Sequence, residues 1–553
     1  MDMKDKRSDD TNSMKQFSPK SQHFTGATPP STQSAAQEFA NITNMLKTGR
    51  KDEAWAAAEI FYQKRPGNAS INFVIGLMHA ECKRKAEAVP YIERAVEFAP
   101  DNADYLLALG KLYLELGMIE RAPDILHKAY SIDSTTYKAP FALANYHFLA
   151  GQGKRALPYY ELALRAAPSD ACANIHMWRA DCLSSLGKVA EAEAGCKLAV
   201  GDPRFKVKAL IAMALLRKND QTSIHAEQIR KELEQPGLTD EVRSSLLLCL
   251  GRLYENGRDY DNAFLNFSNS RKLVNSQFDM NNFRLQVEDT SRILTRDVFE
   301  KFKAFGHESA KPIFVVGMPR SGTTMTEQII AAHTLADGVG EPTRMSELYK
   351  HCSQSRGMQQ VLEKMTELGP ERWKDIPLQY INLLNFLAPG AGRTVDKMPH
   401  NFLYLGFIHL CFPNARIIHC QRNPLDNFIS AYQNSMNAFH RYSYDQLAYS
   451  EYYSIYLQLM NHWKSVIPDC IYESQYEVLT QNPEAEIRKL LDFLGLPWEE
   501  GCLKFNETEQ TIKTFSRATV RNRINTGSIG RWRNYEQHLS PIITAFNQAG
   551  IPV

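Results

Sequence analysis

The sequence predicts a multidomain chain, an all-α superhelix of stacked helix hairpins followed by a three-layer α/β domain, P-loop-like at its first turn, with a mainly parallel sheet. Three observations carry this reading. Small and apolar residues recur every 34 positions through the first half. The second half opens on a strand–loop–helix stretch, Pro312 to Ile330, whose loop is bounded by Gly317 and Gly322. A second such stretch, Ala415 to Tyr432, follows about 100 residues later. At 553 residues the chain exceeds one core, and two to four domains are expected at roughly 100–200 residues each.

Composition excludes several classes. The apolar content of 44% and charged content of 23% are ordinary for a globular protein. A net charge of +2 gives no global attraction to nucleic acid or an anionic membrane, so any anion specificity is local. The ten cysteines are scattered without a Cys-x-x-Cys pair, which argues against structural zinc and a disulfide scaffold and for reduced thiols in a cytoplasm. No run of about 18 apolar residues is present, and the N-terminus is polar with mixed charge; neither a membrane span nor a signal peptide is expected.

Residues 1–36, rich in Ser, Thr, Gln and Pro and including Thr28-Pro-Pro-Ser-Thr32, cannot bury enough apolar surface to offset chain entropy, and a disordered polar tail is expected. From 37 to 285 the repeat can be counted. Ala54, Ala88, Ala122 and Ala156 are each 34 apart; Phe61, Ala95, Ala129 and Ala163 follow seven residues later. Pro66, Pro100, Ser134 and Pro168 close each unit, and Gly76, Gly110 and Ala144 hold the small position of its first helix. The pattern returns at Gly187 and Ala192, and again in Gly251-Arg-Leu-Tyr with Ala263 and Phe267. This is the tetratricopeptide pattern, and six to seven units are expected, with the first lacking a clear leading helix and residues 204–245 degenerate. Such an array suits a peptide or protein partner or a homodimer contact, or serves as a helical support alone.

Residues 286–310 read as a connecting helix and linker, and 311–553 as the α/β domain. In its first loop, Gly317-Met-Pro-Arg-Ser-Gly-Thr-Thr324, the glycines let backbone approach a ligand, and the free N–H groups of the helix from Thr323 make an anion site. A nucleotide-triphosphate loop would end Gly-Lys-Ser/Thr; here Arg320 precedes the second glycine, with hydroxyls at Ser321, Thr323 and Thr324. Arginine and hydroxyls suit a phosphate-linked group that needs no metal.

This loop resembles the 5′-phosphosulfate loop of the sulfotransferases, which use 3′-phosphoadenylyl sulfate (PAPS) as donor and release PAP. The resemblance extends over about residues 310–535 and is greatest to the branch containing the tyrosylprotein sulfotransferases and bacterial proteins with tetratricopeptide repeats ahead of the catalytic domain. It implies cofactor contacts at Pro319, Arg320, Ser321, Gly322, Thr323 and Thr324. In Gly338-Val-Gly-Glu-Pro-Thr-Arg344, where Glu341 stands between a glycine and a proline and so in a loop, it implies Glu341 as the base for the acceptor hydroxyl, with Arg344 orienting it or lining the acceptor site. In Arg393 to Asn401 it implies Lys397 beside the sulfuryl group. Arg422 and Ser430, in the second strand–loop–helix, match the 3′-phosphate pattern. Tyr476 falls near the nucleotide base, and Ser528, Gly530, Arg531 and Trp532 in a closing loop over phosphates and adenine.

His400 and His333 remain rival bases. Asn434 departs from the tyrosylprotein branch, which carries an arginine there. The expected activity is in-line sulfuryl transfer, without metal, to a hydroxyl of a peptide tyrosine, carbohydrate, alcohol or phenol. A repeat scaffold with a non-catalytic nucleotide site is the alternative from another class; a kinase would require ATP affinity and magnesium dependence. Interleaved basic and aromatic residues around Arg531 are too few for nucleic-acid binding in a near-neutral chain.

Overall fold

The computed structural model describes residues 32–82, 84–216, 219–274, 277–354, 356–434, 438–505 and 524–553. The polar tail through residue 31, and Arg521, Asn522 and Arg523 ahead of the closing loop, lie outside them. The chain divides into two compact units, Met1–Phe98 and Ala99–Val553.

The first unit holds two helix hairpins, Thr32–Lys47 with Lys51–Lys64 and Ala69–Glu81 with Lys85–Phe98. The first helix begins inside the segment expected to be tail. Phe39, Ile42, Met45 and Leu46 recur at three- and four-residue spacing, and Ile42 is fully buried among Ala54, Ala58 and Phe61. The small position is small for a steric reason: a Cβ on Gly76 would stand 2.4 Å from Ile92 of the paired helix.

The second unit continues with hairpins Ala103–Glu115/Pro123–Ile132, Lys138–Leu149/Gly153–Ala166, Ser169–Ser185/Val189–Ala199, Lys206–Leu216/Ile224–Leu233 and Asp240–Asn256/Tyr260–Leu273. The same crossing recurs where a Cβ on Gly110 would meet Leu126 at 2.4 Å and one on Gly251 would meet Phe267 at 2.5 Å. The degenerate stretch still forms a hairpin, because Ala209, Met213 and Ala214 pack with Ala226 and Ile229.

Helices Met280–Ile293 and Arg296–Phe302 occupy the expected linker, but they are not a tether. Phe283, Val287 and Phe299 belong to one core that also contains Leu248, Ala263 and Phe267 of the last hairpin and Phe314, Phe407 and Phe428 of the α/β domain. Repeats and α/β domain therefore share apolar packing across the anticipated boundary.

Five parallel strands, β1 (Pro312–Gly317), β2 (Ala336–Gly340), β3 (Arg393–Asp396), β4 (Arg416–Gln421) and β5 (Ile471–Gln475), form a sheet of order β2-β3-β1-β4-β5. Alternate residues of β1 face opposite layers: Ile313 and Val315 pack with helices Thr323–Ala331 and Pro483–Leu494, while Phe314 and Val316 face the shared core. Strand β2 ends at Gly340, so Glu341 lies in the loop that follows it, as expected. Gly338 gives no strand signal, and it packs closely: a Cβ there would lie 3.1 Å from Glu327 Oε1 and 3.3 Å from the Ala331 Cβ.

None of the ten cysteines forms a disulfide. Among the described residues no helix is long and apolar enough to cross a membrane. Because the α/β core is completed by residues 240–302, a fragment of residues 311–553 should lack fixed tertiary packing. Near-ultraviolet circular dichroism should be flat and a hydrophobic dye should bind, in contrast to the full chain.

Candidate active site

Arg320 and Arg422 leave the carboxyl ends of β1 and β4, which are neighbours in the sheet, so the two sequence-distant loops meet at a crevice. Arg320 Nε donates to Ser430 Oγ at 3.0 Å. Arg422 donates to the Arg320 carbonyl at 3.1 Å and to the Ser528 carbonyl at 2.6 Å, and stacks over Tyr476 at 4.8 Å. The glycines permit this closeness: a Cβ on Gly317 would fall 2.4 Å from the Cys420 carbonyl, and one on Gly322 2.8 Å from the Tyr476 ring. Arg320 itself takes the left-handed backbone region, φ 74°, a conformation that side chains other than Gly and Asn rarely adopt and that aims its guanidinium inward.

These groups line one cavity of about 840 Å³, with Pro319, Arg320, Gly322, Thr323, Thr324, Arg422, Ser430, Tyr476, Ser528 and Arg531 on its wall, and Glu341 and His400 on the wall as well. Three expected contacts are elsewhere. Ser321 is buried and its hydroxyl has no partner. Gly530 and Trp532 anchor the closing loop instead of facing the cavity: their backbone N–H groups donate to the two oxygens of Asp426 at 2.6 and 2.9 Å, and the Trp532 ring packs in the core. The indole is drawn there by apolar burial that a solvent-facing lid would forgo.

The arginine end crowds like charges together. Burial, then the nearby Arg252, Arg422 and Arg531, push the Arg320 guanidinium down to about 9. Burial likewise lowers Arg422, whose Nε has no partner. Like charges held together away from water are costly unless an anion joins them, so this end is built for a multiply charged anion. The orphaned Arg422 Nε, three cavity-lining arginines and a glycine-lined approach fit phosphate groups.

The last repeat hairpin contributes residues that sequence reasoning missed. Arg252 bonds the Asn434 side-chain carbonyl, and Asn434 in turn donates to the Ser430 carbonyl at 2.6 Å. Buried Arg271 donates to the Tyr432 and Asn434 carbonyls at 3.0 and 2.6 Å and lies 3.9 Å over the Tyr444 ring. Glu255 pairs with Arg531 at 2.5 Å and accepts from Tyr535 at 2.7 Å. Two repeat arginines thus cap the carboxyl end of the helix Pro424–Tyr432 that carries Ser430, where free carbonyls and the dipole favour cations. In the sequence, Arg252 was visible only as the neighbour of a repeat glycine.

At the opposite end Glu341 follows β2, is 45% exposed, and accepts a close bond from Lys397, which is 1% exposed. The Lys397 backbone N–H donates to Gly340 at 2.8 Å, tying the ends of β2 and β3. Next to it, burial pushes Asp396 up to about 7 while Tyr380 donates to it at 2.5 Å. His400 faces His440, ring centroids 4.5 Å apart, and burial lowers both, His440 to about 4. His333 is off the cavity wall, bonded to the Pro497 carbonyl at 2.9 Å, which removes it as a rival base. Arg344, expected beside Glu341, is instead paired with Glu120 of a repeat and, at 3.4 Å, with Glu347. Among the described residues no cluster of His, Cys, Asp and Glu has metal-holding geometry.

Arg271→Ala should cost roughly 2–4 kcal/mol, because it strands two buried carbonyls, and this is readable as a lower Tm by calorimetry. His440 protonates near pH 4 when folded against 6.5 in the open chain, so unfolding takes up a proton between those values. Its contribution is whole above pH 6.5 and is lost as pH falls toward 4. Urea melts should therefore show His440→Gln losing roughly 1–2 kcal/mol less than the parent between pH 7.5 and pH 5.

Comparison with known proteins agrees with this architecture. Residues 312–500 match the family described as "Sulfotransferase family", and residues 43–103 and 137–204 match "Tetratricopeptide repeat". An uncharacterized protein of Aquifex aeolicus (strain VF5) is 34% identical over 372 residues, 65% of this chain and 48% of that one. Protein-tyrosine sulfotransferase A of Caenorhabditis elegans is 25% identical over 207 residues, 36% of this chain and 53% of that one. This chain thus spans about half the length of these two relatives. The solved sulfotransferase domain of the Synechococcus PCC 7002 olefin synthase aligns at TM-score 0.32 and 18% identity, over 45% of this chain and 97% of that one. Residues 312–500 belong to the sulfotransferase family, and the helical array ahead of them is built of tetratricopeptide repeats.

Proposed function

We propose that the chain transfers a sulfuryl group from PAPS to an acceptor hydroxyl. The observation that carries this reading is that Arg320 and Arg422, from loops 102 residues apart, line one cavity together with Glu341, the partner of Lys397. Two basic, hydroxyl-bearing loops in one crevice suit a nucleotide with phosphates at both ends of its ribose.

PAPS supplies an activated sulfuryl group on a phosphate leaving group. Arg422 and Ser430 hold the 3′-phosphate, while Arg320, Thr323 and Thr324 hold the 5′-phosphate. Glu341 takes the acceptor's hydroxyl proton on its carboxylate as the new oxygen–sulfur bond forms and the sulfur–oxygen bond to phosphate breaks. Arg320 and Lys397 neutralise the charge released on the phosphate oxygen. The ion pair with Lys397 holds the Glu341 carboxylate at the cavity wall before the acceptor arrives. With scattered, unpaired cysteines the reaction belongs in a reducing compartment, the cytoplasm, and the repeats offer a surface for a protein partner.

Calorimetry should show PAP binding and little ATP binding. Arg422→Ala should weaken PAP by about 10–100-fold, the size of a lost charge-assisted contact. Glu341→Gln should lower turnover by ~100-fold or more with PAP affinity within about 2-fold. Undiminished turnover in Glu341→Gln would hand the base role to His400.

A further inference from the structure

The helix Asp240–Asn256 of the last repeat hairpin brings Arg252 and Glu255, three residues apart on one face, to Gln433 and Asn434. These two buried residues follow the helix Pro424–Tyr432 that carries Ser430. Glu255 accepts from Gln433 at 2.7 Å, and its charge is matched by Arg531 at 2.5 Å. Arg252 is held differently. It donates to the Asn434 amide oxygen and, at 3.4 Å, to the Gln433 carbonyl, and among the described residues it forms no ion pair. The acid that bears on it, Glu255, is already engaged by Arg531.

Asn434 carries this grip to the cavity. Its side-chain N–H donates to the Ser430 carbonyl at 2.6 Å, Ser430 lines the cavity, and the Ser430 hydroxyl accepts from Arg320 Nε at 3.0 Å. A neutral amide between Arg252 and Ser430 transmits orientation and leaves the cation's charge uncancelled. That charge reaches the same place. After burial itself, Arg252 is the largest influence lowering the Arg320 guanidinium, ahead of Arg422 and Arg531. In surroundings of low dielectric such a cation attracts an anion more strongly than it would in water.

Resting on the sulfotransferase reading, in which Arg422 and Ser430 hold the 3′-phosphate, we propose that Arg252 of the repeats is a positioning residue for that phosphate. Through Asn434 it fixes the turn that presents Ser430, and its guanidinium supplies part of the positive charge that selects a bisphosphorylated nucleotide over one with a 5′-phosphate alone. Donor selectivity is thereby shared with a repeat helix that lies outside the sulfotransferase-family segment, residues 312–500. The coupling is reciprocal, so a bound 3′-phosphate steadies the repeat hairpin in turn.

Calorimetry on the full chain with PAP and with AMP, which differ only in the 3′-phosphate, tests this. The parent should bind PAP at least ~30-fold more tightly than AMP. Arg252→Gln should cut that ratio by about 10-fold, through weaker PAP binding, with AMP affinity within about 2-fold of the parent. Arg252→Lys keeps the charge and a donor, and should bring the ratio back to within about 3-fold of the parent. Asn434→Ala should reproduce part of the loss, and the double variant Arg252→Gln/Asn434→Ala should lose less than the product of the two single losses. A misfolded fraction lowers the binding stoichiometry of both nucleotides and leaves their affinity ratio untouched, so the ratio separates positioning from folding. Hydrogen exchange of the amides in residues 246–256 should slow more with PAP than with saturating AMP, and that difference should vanish in Arg252→Gln. Equal weakening of PAP and AMP in Arg252→Gln, or an unmoved ratio, overturns the proposal while the nucleotide-site reading stands. A parent that binds PAP no more tightly than AMP overturns both.

Discussion

The second unit is shaped by the need to hold several guanidiniums together with too few carboxylates among them. Arg320 and Arg422 are both buried, and uncharged groups fix them: the Ser430 hydroxyl accepts from Arg320, and the Arg320 and Ser528 carbonyls accept from Arg422. Neutral carbonyls orient a cation without cancelling its charge, whereas a carboxylate in their place would fill the site with the protein's own anion. Asp426 is engaged by two backbone N–H groups of the closing loop, and Glu255 by Arg531. Arg320 and Arg422 stay poised for a ligand because the hydrogen bonds that orient them go to dipoles, while Arg531 is held by Glu255.

That poise requires rigid support, and the repeats supply it. Arg252 and Arg271 grip the carboxyl end of the Ser430 helix, and Glu255 grips Arg531, so the last hairpin is part of the second wall of the anion site. The shared core beneath, from Leu248 through Phe283 to Phe428, resists relative motion of those elements. A tetratricopeptide hairpin is ordinarily satisfied by its neighbours on either side; here the last one is capped by a catalytic-type fold instead of by a polar helix.

Much of this was legible from residues alone. The 34-residue columns name positions whose side chains are absent or small because another helix crosses there, and the structure supplies the partners, Ile92, Leu126 and Phe267. Strand β1 is a continuous apolar run, as expected of a buried parallel strand, and β4 was legible from Ile417 and Ile418 ahead of Cys420. Strand β2 was not legible, since it is glycine-rich and the close packing of Gly338 is set by Glu327 and Ala331, which no local pattern reveals. Trp532 was misplaced for a related reason: a tryptophan amid glycines and arginines has the composition of a lid, and only its neighbours show that it is core. The repeat arginines were invisible because their partners lie some 160–180 residues away in sequence.

The hairpins of residues 32–98 form a compact unit with a core of their own, from Ile42 to Met78, whereas the hairpin at 240–273 has its apolar and basic residues committed to the fold that follows. Recombination would therefore find the two ends of the array unequal. Leading hairpins are free to be lost, duplicated or traded between lineages, while the trailing one travels with its α/β partner as a single heritable block.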